Sequence, residues 1–228
     1  MGVTFSSEPG NSTVEDMAGI CNISEGYSTL LSFKQCMRVK LEVAAKLVSV
    51  YITHVYSPVV DYTGLRSLVY SALRPKDTLV NNSEEIDIIV KAGWRIFSNK
   101  EKDTLNTQEM LGVMILLADS PWDRRLYLLF ELFKCMGTEE MLHADIQLAA
   151  HACANGLFKL WQSAPWEYSD FKSLTEAIAD HAYLKMEKSL DDSVTWEKFR
   201  IWALDRFKDS RTVATQQALR NIYESAYQ

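Results

Sequence analysis

Four histidines and four cysteines are the side chains of this 228-residue chain most suited to holding a transition metal or attacking a substrate. His143 and His151 stand two turns apart along a helix, too far for an adjacent ligand pair, and His54 and His181 are isolated. Cys21, Cys36, Cys135 and Cys153 form neither a C-x-x-C pair nor a regular framework. They are expected to be free thiols, with Cys36 and Cys153 packed on helices. No nucleophile elbow, phosphate loop, dinucleotide fingerprint or H-E-x-x-H run occurs, and the acids scatter over helix surfaces without pairing in a pocket. The expectation is therefore no catalytic residue and no enzyme. One covalent chemistry remains. Met1-Gly2 followed by Ser6 fits the pattern for acylation of Gly2 once Met1 is removed. A single acyl chain binds membranes only marginally, and no polybasic cluster follows to reinforce it.

Composition narrows the class. Lys and Arg number 24 against 30 Asp and Glu, a formal charge of −6, which is not the electrostatic footprint of a nucleic-acid binder. With 47% apolar residues, 9 Gly and 5 Pro, the chain can build a sizeable core and is poor in the turn residues of a β-sandwich. No apolar run reaches the roughly 18–20 residues of a membrane span. The first residues lack the basic region and apolar core of a secretory leader. The location expected is cytoplasmic, cytoskeletal or ciliary, with contact to a membrane only if Gly2 is acylated.

The elements that position these residues read as helices. Residues 1–25 are polar and expected to be a flexible tail. Apolar residues then recur at three- and four-residue steps from Phe33 to Val48, and again over Gly64–Leu73. Ser83-Glu84-Glu85 can cap a helix carrying Ile86 to Phe97, and another begins near Thr107. Ser120-Pro121-Trp122-Asp123 predicts a start with Ser120 as cap and Pro121 at the first helical position. Further helices are expected near Ala144–Phe158, Ser169–Met186, Thr195–Phe207 and Ser210–Tyr227. No segment sustains a period of two, so the chain reads as all-α.

Three segments share one pattern: an aromatic or apolar helix end, a polar loop with an apolar residue at position 8, and an exiting helix. Counting from Ser98, Leu105 is position 8 and Glu109 position 12. Counting from Lys134, these are Met141 and Asp145; from Glu187, they are Val194 and Lys198. The pattern resembles the EF-hand helix–loop–helix. The block LNTQEMLGVMILLADSPWDRRLYLLFELF is similar to the joint between hands in calcineurin-B-like and neuronal-calcium-sensor-like members of the calmodulin superfamily, and VTWEKFRIW to their exit from a loop. The resemblance covers about residues 83–207. A fourth loop is read over Thr53–Gly64, with Val60 at position 8.

The resemblance implies an all-α bundle of four hands in two degenerate pairs. It predicts a lobe over residues 26–119, a second over 120–207, and a C-terminal helix over 208–228. Leu105, Met141 and Val194 would form the short antiparallel bridges between paired loops. Calcium in this family needs oxygen ligands at positions 1, 3, 5, 9 and 12 and a carbonyl at 7. The first loop offers Ser98, Lys100 and Lys102, and the second Lys134, Met136 and Thr138. The third keeps Glu187, Asp191 and Thr195 but ends in Lys198, so only these three residues are candidate ligands. Each pair of like unit charges at 4 Å costs about 4 kcal/mol at an effective dielectric near 20, roughly a thousandfold in affinity, so a lysine ammonium at a ligand position opposes a divalent ion. No resident cofactor is therefore expected, and Lys100 or Lys102 is expected to pair with Glu109 instead.

Met and aromatic residues line partner grooves in this family. Met110, Met114, Trp122, Tyr127, Phe130 and Phe133 are the candidates here, with the last helix (Val213, Leu219, Ile222, Tyr223) able to fill such a groove itself. The function expected is a non-enzymatic adaptor or regulatory subunit gripping an amphipathic helix of a larger protein without calcium. The alternative is a calcium-binding sensor working through residues 187–198 and acylated at Gly2.

Overall fold

A computed structural model describes residues 40–54, 57–73, 83–134, 137–161 and 168–207. The expected tail, Gly2, Cys21, Cys36, Cys135 and the expected helix over 208–228 lie outside the described residues. Within them the chain is mostly helical. Eight helices run α1 (Leu41–His54), α2 (Tyr62–Ala72), α3 (Ser83–Phe97), α4 (Thr107–Leu117), α5 (Trp122–Phe133), α6 (His143–Trp161), α7 (Tyr168–Lys185) and α8 (Trp196–Phe207). Strands of two or three residues sit between them: β1 (Val59–Val60), β2 (Ser98–Asn99), β3 (Thr104–Asn106), β4 (Glu140–Met141) and β5 (Val194–Thr195).

The helix at the centre is α4. Its sequence, TQEMLGVMILL, is apolar on nearly every face, and every residue but Gln108 is buried. A helix without a polar side can be stable only if neighbours cover it all round. Helices α1, α3, α5 and α6 do so. The closest approach is to α6. A Cβ placed on Gly156 would lie 2.5 Å from the Glu109 carbonyl oxygen and 2.6 Å from Val113 Cγ2, and one on Gly112 would lie 3.0 Å from Cys153 Sγ. Glycines on both helices let the backbones approach each other. The buried side chains, from Val43 in α1 to Ala203 in α8, form one cluster that spans both halves of the described chain.

The strands join the loops at apolar residues. Strand β3 lies between β1 and β2, all antiparallel, with Val60 opposite Leu105 and Ser98 opposite Leu105 on the other side. Strands β4 and β5 pair antiparallel, with Met141 opposite Val194. Val60, Leu105, Met141 and Val194 are all buried. Short ladders of this size are marginal alone and depend on the helices packed beneath them. The Pro58 carbonyl accepts from Thr107 N–H at 2.8 Å, which ties β1 to the first residue of α4.

Helix starts follow local capping chemistry. Asn106 Oδ1 accepts from the N–H groups of Gln108 and Glu109 at the head of α4. Asp61 Oδ1 accepts from Gly64 N–H at 2.7 Å at the head of α2. At α5 the sequence expectation is off by one residue. Pro121 itself occupies the cap position without a side-chain hydrogen bond, Trp122 is the first helical residue, and Ser120 does not cap. The extended backbone of Pro121 and its carbonyl, which accepts from Arg124 and Arg125 N–H, start the helix instead.

The α4–α6 approach carries a test. Replacing Gly156 with Ala improves helix propensity by roughly 1 kcal/mol but drives a methyl into the Glu109 backbone. A net loss of about 2 kcal/mol is expected in urea unfolding, in line with other overpacked cores. A stabilised Gly156→Ala variant would contradict the packing described here.

Candidate functional site

The residues singled out in the sequence gather around the turns that precede α4, α6 and α8. In the first turn, Asn99 Oδ1 accepts from Glu101 and Lys102 N–H at 3.0 and 3.2 Å, closing a tight bend between β2 and β3. Asp103 completes it at φ 49°, a left-handed conformation that Asp tolerates better than most residues. The bend leaves Lys100 and Lys102 exposed. Neither meets Glu109, contrary to the expectation from the sequence.

Glu109 lies in the first turn of α4 and is 6% exposed. Its partner comes from α6: Lys159 Nζ lies 2.7 Å from Glu109 Oε2 and 3.1 Å from the carbonyl oxygen of Phe97, the last residue of α3. The hairpin points the two nearer lysines outward, while the side chain of Glu109 faces α6. A Lys in the last turn of α6 is the cation within reach. The ammonium also meets a carbonyl at the negative end of α3.

The second turn is likewise satisfied from within. Lys134 Nζ reaches Glu131 Oε1 at 2.9 Å and Glu139 Oε2 at 3.0 Å. Partial burial opposes the Lys134 charge, but the hydrogen bonds and charges of Glu131 and Glu139 outweigh it and hold the ammonium above its ordinary range. Asp145 Oδ2 accepts from Leu142 N–H at 2.8 Å, capping α6 from inside its first turn. Gly137 takes φ 79° in this bend. Glu140 accepts a hydrogen bond from the Ser193 hydroxyl across the β4–β5 ladder.

In the third turn Glu187 (φ 53°) and Asp191 are exposed, Thr195 is half-buried in β5, and Lys198 is exposed on α8. Asp192, which the sequence reading passed over, organises the bend by accepting from Ser189 N–H at 2.9 Å and its hydroxyl at 2.8 Å. The Ser189 N–H and hydroxyl hold this carboxyl below its usual range. Tyr183, buried in α7, donates from its hydroxyl to the Asp192 carbonyl at 2.9 Å.

The position-12 carboxylates of the first two turns already have partners. Glu109 and Asp145 are engaged by Lys159 and by the Leu142 N–H, and Lys100, Lys102 and Lys134 belong to the first two turns. Among the described residues no three His, Cys, Asp or Glu side chains converge on a point where an ion could sit. No helix of the described residues is long and apolar enough to cross a membrane.

The six residues expected to line a partner groove divide. Met110 and Met114 are enclosed because α4 is covered by helices on every side, and Phe130 and Phe133 of α5 are buried in the same core. Trp122 is half-buried beneath the Arg125 guanidinium, 3.8 Å from its ring centroid. Tyr127 is 48% exposed and meets Trp196 edge-on, with ring centroids 5.1 Å apart. The cluster continues inward through Phe130, Phe199 and Trp202, and joins α5 to α8. Asp123 and Arg200 add an ion pair between the same helices.

Comparison of the chain with protein-family models, curated proteins and solved structures finds no match in any of the three.

Two measurements follow from the burial in this region. Tyr183 is pushed up to about 12, mainly by burial and then by the charges of Asp145 and Asp192. The folded phenol thus holds its proton above the pH at which the unfolded one ionises, about 10. Its share of stability is fully present below pH 10 and is lost as pH rises toward 12. In unfolding curves between pH 9 and 12, Tyr183→Phe should show a shallower fall than the parent. Burial likewise pushes the Cys153 thiol up to about 12. With Cys21, Cys36 and Cys135 replaced by Ser, a maleimide should label Cys153 only after urea is added.

Proposed function

We propose that the chain is a non-enzymatic, EF-hand-like adaptor that binds an amphipathic helix of a partner protein largely independently of calcium. On this reading the turns before α4, α6 and α8 are degenerate ion loops, and β1 belongs to a fourth. What carries it is the register of the short ladders. Val60 opposite Leu105 and Met141 opposite Val194 are the position-8 residues of the four loops, each pair buried and antiparallel. The fate of the position-12 groups supports the loss of the ion: an ammonium on Glu109, a backbone N–H on Asp145, and a lysine at 198. The burial of Met110, Met114, Phe130 and Phe133 moves the proposed contact outward, to the aromatic edge at Tyr127 and Trp196.

Calorimetry tests the calcium part. Titration with calcium is expected to give no micromolar uptake, and tryptophan fluorescence is expected not to change. Purification of the chain from its native cell, with chelator and with calcium in parallel, tests the rest. A partner retained equally in both, and weakened by Tyr127→Asp, agrees with the adaptor. Capture that needs calcium would instead favour a sensor working through Glu187, Asp191 and Thr195.

A further inference from the structure

We infer that Lys159 is a tethered cation for the first turn, and that through it α6 controls whether the β1–β3–β2 sheet stays closed. Two groups meet at one ammonium carried by α6: the carboxylate of Glu109 at the head of α4 and the carbonyl of Phe97 at the foot of α3. A bound ion that grips the end of one helix and the start of the next fixes the angle between them. The Lys159 Nζ makes the same two contacts, but it is covalently part of a third helix. The comparison with an ion rests on the adaptor reading; the latch itself rests on the distances.

His151 of α6 also lies within range of the Glu109 charge, but burial holds its imidazole toward the neutral form. The bend between β2 and β3 carries Lys100 and Lys102 outward. Around Glu109 the backbones of α4 and α6 are in contact at Gly156, so the carboxylate is shut in. A buried carboxylate without a partner is costly. Glu109 therefore keeps its low-energy position only while α6 lies against α4. If α6 moves away, the charge loses its partner, Phe97 loses its cap, and the strands attached to both helices lose their anchor at Ser98 and Asn106. The latch makes the geometry of residues 98–106 conditional on a helix distant in sequence rather than on a dissolved ion.

A paired substitution tests this. Lys159→Met keeps the length of the side chain and leaves the carboxylate alone; Glu109→Met with Lys159→Met removes both charges. The single variant is expected to lower the folding equilibrium constant at least thirtyfold. It should also speed amide exchange over residues 98–106 at least tenfold more than in the β4–β5 ladder. The double variant should recover at least half of the logarithmic loss, since an apolar pair of similar volume strands no charge. If Lys159→Met does not fold, a folded double variant supports the latch and an unfolded one overturns it. A single-variant loss under thirtyfold, equal exchange in both ladders, or a double variant no better than the single one would also overturn it. Calcium titration of the parent chain plays no part in these readouts, so the latch and the adaptor reading fail separately.

Discussion

Helix α4 must be kept from water on every side, and that constraint shapes its neighbours. Met110, Leu111, Val113, Met114, Ile115, Leu116 and Leu117 are buried in succession. No single partner helix can cover such a run, so α1, α3, α5 and α6 each present an apolar face to it. Full enclosure of each large side chain contributes on the order of 1.5–3 kcal/mol relative to exposure. The demand for close cover explains why glycines appear at 112 and 156, where the α4 and α6 backbones approach each other. It also explains why a charged residue in the first turn of α4 needs a counter-charge. A carboxylate entering the same enclosure as the methionines must bring a partner with it, and α6 is the helix near enough to supply one.

The turns are organised by a different principle. Each is closed by its own polar atoms: Asn99 in the first, Asp145 and Lys134 in the second, Asp192 and Ser189 in the third. Each then contributes one apolar residue to a ladder. Side chains already present set the bend of each loop, while in the first turn the placement of its strands also depends on Lys159. This division of labour gives the polar residues to local geometry and the apolar ones to long-range pairing.

Much of this was legible in the residues. Three- and four-residue spacing marked the helices because each buries a stripe, but that α4 would be covered on every side was not read from it. Leu105, Met141 and Val194 were marked out by their shared position 8 in the three repeated loops; Leu142 and Leu190, apolar in the same turns, are exposed. The start of α5 was misplaced by one residue because Pro121 suits both the cap and the first helical position. The Lys159–Glu109 pair was not legible. The two residues are far apart in sequence, and a lysine near a helix end reads as an ordinary solvated charge. Packing between α4 and α6 decides that contact, and no local pattern encodes it. The same packing decided the fate of Met110 and Met114: spacing alone cannot distinguish a side chain facing a groove from one facing another helix.

The ladders β1–β3 and β4–β5 join segments widely separated along the chain, yet each contains only two residue pairs. Two residue pairs give little return against the chain entropy of closing such long loops. The pairing of the strands depends on the helices packed around α4 rather than the reverse.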